Sequence, residues 1–378
     1  MNKSNSSADN TPLLKALRQL AHKLHSPFYA PGHKQGRGMN PKMKDLVEKL
    51  GVKADLPELP ELDNLFAPTN LIKLAQDLAA ETFGAEHTWF LVNGSTCGII
   101  ASILATCQPG DKIILPRNIH QSAIAGLILA GARPIFLQPA YDSDLDLVGS
   151  LTPQVIEQAL QQHPESKAVL LLYPTYQGVG GEIATIAKLV HRYNIPILVD
   201  EAHGAHFSFH PNLPISALAA GADVAVQSTH KTLSSLTQAS MLHLQGKLVS
   251  ANKISQALQL LESTSPNYLL LASLDAAREQ MAVSGQKLMS QTLELAAIAR
   301  QELNKLEVIS VLELPQPLTP GFASLDSTRL TLDVRKLGLS GFVVDDILHQ
   351  KLGVTAELPL PQQLTFMITL GNTLDDIR

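Results

Sequence analysis

The chain has 378 residues, 45% hydrophobic, 17% charged and 4% aromatic, with a formal charge of −5. That length accommodates two or three domains, the 29 basic against 34 acidic residues leave no basic excess for a nucleic-acid backbone, and nothing approaches the roughly 18 consecutive apolar residues of a membrane span. Two cysteines, Cys97 and Cys107, in no C-x-x-C pair, exclude a disulfide framework, argue against structural zinc and suit a reducing cytosol. The polar N-terminus lacks the apolar stretch of a secretory signal. A cytoplasmic protein with no nucleic-acid or membrane partner is expected.

In chain order, residues 1–11 are small, polar and unpatterned and predict a disordered start. An amphipathic stretch over 12–25 leads into a turn-rich segment at 28–36. Residues 55–68, rich in prolines and carboxylates, are too irregular for helix or strand. From residue 70 the pattern alternates. Helical periodicity marks 71–83, 96–106, 121–130, 152–162 and 183–193. Strand-like apolar runs fall at 88–92, 111–115, 134–137, 168–173, 197–200 and 223–227. Such alternation implies a parallel sheet covered on both faces, with its chemistry beyond the carboxyl ends of the strands. A long helical pattern over 272–306 precedes a break at 312–320. Strand, helix and strand then follow at 329–334, 343–352 and 364–370. The expected organisation is an N-terminal arm and turn-rich segment over 1–69, a large domain over 70–310 and a small C-terminal domain over 311–378.

Four strand ends carry chemistry. Asn93-Gly94-Ser95-Thr96-Cys97-Gly98 follows a strand and opens a helix. Its amides and hydroxyls make a phosphate cradle or, on the plainer reading, a glycine turn with Ser95 or Thr96 as N-cap. Val199-Asp200-Glu201-Ala202-His203-Gly204 ends a buried strand on a carboxylate, which must be paired or solvated. Asp-Glu-Ala-His also ends the metal-binding strand of helicase-type motors, but the chain has no G-x-x-x-x-G-K-[ST] loop. His203 and His206 lack an obvious third ligand, so no metal site is expected. Lys231, in Gln227-Ser228-Thr229-His230-Lys231, is a surface charge on the plain reading and a Schiff-base nucleophile on the functional one. His120 follows a further strand with a flat ring. Singly these are weak signals. Jointly, a phosphate cradle, an aromatic plate, a carboxylate and a lysine are what pyridoxal phosphate requires.

On these motifs the chain resembles the fold-type-I pyridoxal-phosphate enzymes of the ornithine/lysine/arginine decarboxylase family, from about residue 31 to 278 and more faintly to the C-terminus. The specific pieces are Pro31-Gly32-His33-Lys34-Gln35-Gly36, Leu59-Pro60-Glu61-Leu62-Asp63, Asn93-Gly94-Ser95-Thr96, Asp200-Glu201-Ala202-His203-Gly204, Ser228-Thr229-His230-Lys231 and Gln238-Ala239-Ser240. Ser263-Thr264-Ser265-Pro266-Asn267-Tyr268 and Ala272-Ser273-Leu274-Asp275 match as well.

The resemblance implies an aspartate-aminotransferase-like α/β fold: a mostly parallel central sheet with helices on both faces, plus a smaller C-terminal α+β domain. It implies that Lys231 holds pyridoxal 5'-phosphate, that Asp200 pairs with its ring nitrogen, that His120 stacks on the ring and that His203 lines the same pocket. Ser95, Thr96 and Ser228 would bind the phosphate, His230 would place a proton over the reacting carbon, and Thr175 would approach the ring hydroxyl. Thr264 would reach the phosphate from a neighbouring subunit, making a homodimer or higher even oligomer necessary for a complete site.

The implied reaction is decarboxylation of a basic amino acid, arginine first and lysine or ornithine next, to the amine and carbon dioxide. The carboxylates of residues 55–63 would offer a seat for the cationic tail. An aminotransferase or lyase of the same fold type competes with this reading, against the Ser-Thr-His-Lys context. So does an inactive cofactor-binding regulatory subunit, against the retention of Lys231, Asp200 and His120. Relatives continue into a C-terminal region with a Pro-Pro-Gly-x-Pro…Pro-Gly-Glu motif that is not found here, so a truncated or short form is expected. The roughly 30 residues before the Pro-Gly-His-Lys motif leave no room for an N-terminal wing domain.

Overall fold

The computed structural model describes residues 10–22 and 49–378 and, between them, Pro31, Lys34, Gln35, Arg37, Met39 and Met43. The expectations for residues 1–9, and for most of the segment at 28–36, lie outside the described residues.

The central sheet has seven strands: β1 (His87–Leu91), β2 (Lys112–Pro116), β3 (Arg133–Leu137), β4 (Ala168–Leu172), β5 (Ile197–Asp200), β6 (Val224–Gln227) and β7 (Ser240–Leu244). Their order is β1-β7-β6-β5-β4-β2-β3. Successive side chains feed two different cores. Val169, Leu171, Ile197 and Val199 enter one, while Ala168, Leu170, Leu198 and Val226 enter the other. Burial of both faces is why these strands read as unbroken apolar runs.

Helix α1 spans Pro12–His22, and α2 (Leu71–Phe83), α3 (Gly94–Thr106), α4 (Gln121–Ala130), α5 (Pro153–Gln162) and α6 (Ile183–His191) lie within two residues of their expected bounds. Local chemistry sets these ends. Thr152 Oγ1 accepts from Val155 N at 3.4 Å with Pro153 at the first helical position, where its missing amide costs nothing. Helix α2 stops at Gly84, whose φ of +74° suits a left-handed cap.

Strand β7 departs from the sequence pattern, because Ser-Met-Leu-His-Leu does not read as an apolar run. It is antiparallel to both neighbours. The buried His243 is accommodated by Thr88 Oγ1, 2.8 Å from its Nδ1, and by Gln227 Oε1, 3.1 Å from its Nε2. The reversed direction brings Gln238 and Ala239 to the edge where β1, β5 and β6 end.

Beyond the sheet follow α7 (Thr229–Thr232), α8 (Ala251–Leu261) and the 36-residue α9 (Tyr268–Leu303). Helix α9 fastens the N-terminal part. Tyr268 OH donates to Asp63 O at 2.6 Å, and Asp275 Oδ2 accepts from Leu13 N at 3.0 Å, capping α1. Asp275 also pairs with Arg278 at 2.8 Å, both wholly buried. The other end of α9 contributes Ala296 and Ala299 to a separate core with Val311, Leu330, Leu332 and Leu364. That core lies against a four-stranded antiparallel sheet of β8 (Ser310–Val311), β9 (Arg329–Asp333), β10 (Leu358–Pro359) and β11 (Gln363–Met367), in the order β8-β9-β11-β10. The helix expected at 343–352 is α10 (Gly341–Ile347), continued by a wider π turn over Leu348–Leu352. Among the described residues no helix is long and apolar enough to cross a membrane.

Candidate active site

The carboxyl ends of β1, β2, β4, β5 and β6 share one edge of the sheet with the amino end of β7. Lys231 lies there, in the single turn of α7 that Ser228 opens directly after β6. Its Nζ is 3.0 Å from His203 Nε2 and 5.6 Å from the centroid of the Tyr176 ring. The Tyr176 and His203 rings are 4.2 Å apart. Burial pushes the amine below its ordinary value, opposed by the charges of Asp200 and Glu357 and aided by Arg329.

Asp200, the last residue of β5, is 3% exposed, and its Oδ1 accepts from Ala202 N at 3.2 Å. Burial raises its pKa, partly offset by that amide and by the charges of His120 and Lys231. A cationic N–H is the partner such a carboxylate favours. Glu201 turns away from the site. It accepts from Ala217 N at 2.7 Å and Gln227 Nε2 at 2.8 Å, and burial pushes it up to about 8. The turn that follows requires Gly204: a Cβ there would sit 2.8 Å from Glu201 Cγ and 2.9 Å from the Phe207 ring. His203 Nδ1 lies 3.2 Å from Arg329 Nη2, whereas His206 Nε2 lies 3.2 Å from Asp326 Oδ2. The two histidines thus have separate partners. Burial, with the charges of Arg329 and Lys231, holds His203 well below its ordinary value.

The start of α3 forms the opposite wall. Asn93, rather than Ser95 or Thr96, occupies the cap position, and it makes no side-chain cap bond. The first-turn amides are therefore available to an anion. Gly94 has φ +77°, a turn that a side chain would strain. Ser95 Oγ accepts from Ser228 Oγ at 2.7 Å, and Thr96 is exposed. Glu262 Oε1 steadies the turn by accepting from Val92 N at 2.8 Å and Asn93 N at 3.3 Å, and Gln238 Nε2 donates to Val92 O. Thr264, two residues past Glu262, is exposed.

His120 caps α4, its Nδ1 accepting from Ser122 N at 3.2 Å. Its ring is exposed, and its charge acts on both Asp200 and His203. His230 Nδ1 donates to Ala239 O at 2.9 Å, and burial lowers its pKa. Thr175 is buried, and its hydroxyl accepts from Val179 N at 3.2 Å, closing a turn. Tyr176, beside it, is the residue that touches His203 and Lys231.

Sequence reasoning missed Tyr176, Arg329, Asp326 and Glu357. Tyr176 follows the β4 strand end and was accessible to the same rule that found Asp200. Arg329 and Asp326 precede or begin β9, and Glu357 precedes β10, so no linear motif connects them to the lysine. Two of the four carboxylates of the acidic segment at 55–63 are engaged locally. Glu58 accepts from Asn64 Nδ2 at 2.6 Å and Leu65 N at 2.9 Å, and Asp63 accepts from the amides of Thr69, Asn70 and Ile72 at 3.1, 2.8 and 3.1 Å. These two carboxylates hold their own loop. Glu357, by contrast, acts electrostatically on Lys231, Arg329 and Tyr176.

The family model described as Orn/Lys/Arg decarboxylase, major domain, matches residues 11–321. The arginine decarboxylase of Bacillus subtilis (strain 168) is 40% identical over 370 residues, covering 98% of this chain and 76% of its own. That of Bacillus cereus is 38% identical over 366 residues, covering 97% and 80%. The crystal structure of the Francisella novicida lysine decarboxylase shares the fold at TM-score 0.86 and 23% identity, over 98% of this chain, which spans 59% of that longer one. The mostly parallel sheet with helices on both faces is the architecture expected from the motifs. The match over 11–321 and the near-complete alignment with two relatives establish that the chain belongs to the ornithine/lysine/arginine decarboxylase family.

Proposed function

We propose that the chain is a pyridoxal-phosphate-dependent decarboxylase of a basic amino acid, arginine first and lysine or ornithine next. The observation that carries this reading is Lys231, held 3.0 Å from His203 on the edge that also carries buried Asp200 and the uncapped start of α3. The donor set fits the cofactor: a lysine amine, a buried carboxylate for a ring nitrogen, and first-turn amides with three hydroxyls for a phosphate. When bound, the cofactor supplies a sink for the electron pair released as the carboxylate leaves as carbon dioxide.

Lys231 would hold the cofactor's carbonyl end, and Asp200, kept from water, would favour a protonated ring nitrogen. His120 would stack on its ring, His203 would line the same pocket, Thr175 would approach its hydroxyl, and Ser95, Thr96, Ser228 and the α3 amides would hold its phosphate. His230, anchored through Nδ1 to Ala239 O, leaves Nε2 as the atom that gives or takes a proton at the substrate carbon. Glu357 receives the cationic tail. A cleft of about 430 Å³ is lined by Thr175, Tyr176, Gln177 and Leu358, the residue after Glu357. Preference for arginine is supported by the names of the two Bacillus relatives. A cytoplasmic homodimer completes the reading, with Thr264 reaching its partner's phosphate site and two buried free cysteines suited to a reducing compartment.

The test is incubation with arginine, lysine and ornithine, identifying the amine formed, together with borohydride reduction and peptide mapping. The expected result is amine from a basic amino acid and a reduced adduct on Lys231. An adduct on another lysine, or turnover without carbon dioxide release, overturns the reading.

A further inference from the structure

We propose that Arg329 is a positioning residue: it sets the tautomer of His203 and, through that ring, holds Lys231 as a free amine. A guanidinium donates and never accepts, and it stays charged. Arg329 Nη2 lies 3.2 Å from His203 Nδ1 and 3.3 Å from His203 O. Nδ1 is therefore the acceptor, and the ring proton sits on Nε2. That Nε2 faces Lys231 Nζ at 3.0 Å. Two donors cannot share the line: an ammonium would meet Nε2–H head on, whereas a neutral amine accepts it. The other tautomer, with its proton on Nδ1, would let Nε2 accept from an ammonium, and Arg329 excludes it.

The arginine is itself held. Asp326 Oδ2 is 3.5 Å from Arg329 Nε and 3.2 Å from His206 Nε2, and Thr328 Oγ1 donates to Asp326 Oδ1 at 2.7 Å. Arg329, Asp326, His203 and His206 are at most 2% exposed, so water does not compete for these contacts. Of the groups facing Lys231, Asp200 and Glu357 favour the ammonium, as does the face of Tyr176. Burial and Arg329 oppose it. Around His203, Asp326 favours the charged ring, while Arg329, Lys231 and His120 disfavour it. The inference rests on the proposed function only for the use of the amine, since a neutral lysine is the form that attacks a carbonyl.

The test uses the full chain stripped of cofactor. Two-bond ¹H–¹⁵N correlation of histidine-labelled protein, with His203 assigned through His203→Gln, reads the tautomer. The pH dependence of Lys231 acetylation by acetic anhydride, followed by peptide mass spectrometry, reads the amine. Wild type is expected to show His203 as Nε2–H. Arg329→Gln is expected to show a mixed or reversed tautomer and Lys231 acetylated about tenfold more slowly at pH 8, one unit of pKa being a factor of ten. Arg329→Lys, also an obligate donor, should restore both. His203 found as Nδ1–H in wild type overturns the proposal, and so does a natively folded Arg329→Gln with an unchanged Lys231 profile. Should Arg329→Gln fail to fold, the wild-type spectrum decides. Failure of the decarboxylase reading is distinct: it appears as missing amine product, with both of these readouts unchanged.

Discussion

Ser228 Oγ donates to Ser95 Oγ at 2.7 Å, joining the turn after β6 to the start of α3 across 133 residues of chain. On the proposed function both hydroxyls would hold the phosphate, so one bond orients the two. Ser95→Ala and Ser228→Ala are each expected to weaken pyridoxal phosphate binding about tenfold, in the range of one hydrogen bond to a charged group. The double variant should lose less than the product of the two, because each hydroxyl positions the other. Absorbance titration of the stripped protein measures this, and strictly multiplicative losses would show that the hydroxyls act independently.

Glu357 is the carboxylate whose field reaches Lys231, Arg329 and Tyr176. Glu357→Gln should raise KM for the basic substrate about tenfold while changing kcat much less, the pattern of a binding contact made equally in ground and transition states. Steady-state rates on arginine and on a neutral amino acid of similar length separate the cases. Equal losses on both substrates would remove the residue from tail recognition.

Thr264 is exposed in a turn that Glu262 ties to the start of α3. If it completes the partner's site across a two-fold axis, cofactor and assembly are linked, because a ligand touching both subunits stabilises only the dimer. Sedimentation of wild type and Thr264→Ala, with and without pyridoxal phosphate, should show a cofactor-tightened dimer that the variant loses. A fully loaded monomer contradicts the shared site.

Glu201 and His243 are joined through Gln227 and titrate abnormally, the first pushed up to about 8 and the second down to about 3 by burial. The folded chain holds the Glu201 proton more tightly than the unfolded chain does, so this group's stabilisation falls as pH rises from 4.5 to about 8. His243 acts oppositely: the unfolded chain takes up its proton below 6.5, so stability rises with pH from about 3 to 6.5. Above 6.5 the glutamate alone of this pair titrates. Urea-unfolding free energies of wild type, relative to Glu201→Gln, should therefore fall between pH 6.5 and 8 by up to about 1.4 kcal/mol per unit. A flat difference across that window would mean that Glu201 is ionised in the fold.

Strands at 197–200 and 224–227 are legible because an apolar run bounded by turn residues is a local signal, and the motifs after them inherit its certainty. In a doubly covered parallel sheet the carboxyl ends must share an edge. Asn93–Thr96, His120, Asp200 and Ser228–Lys231 could therefore be placed together from the chain alone. The direction of β7 was decided elsewhere, since its buried His243 is tolerable only with Thr88 and Gln227 opposite, 155 and 16 residues away. Likewise, the fate of the acidic residues was hidden: Glu58 and Asp63 find backbone amides in their own loop, while Glu357, ahead of β10, comes to act on the lysine. Arg329 reaches His203 over 126 residues. Contacts of that separation follow no helical or strand period, so only the tertiary structure, which sets the start of β9 beside the turn after β5, brings them about.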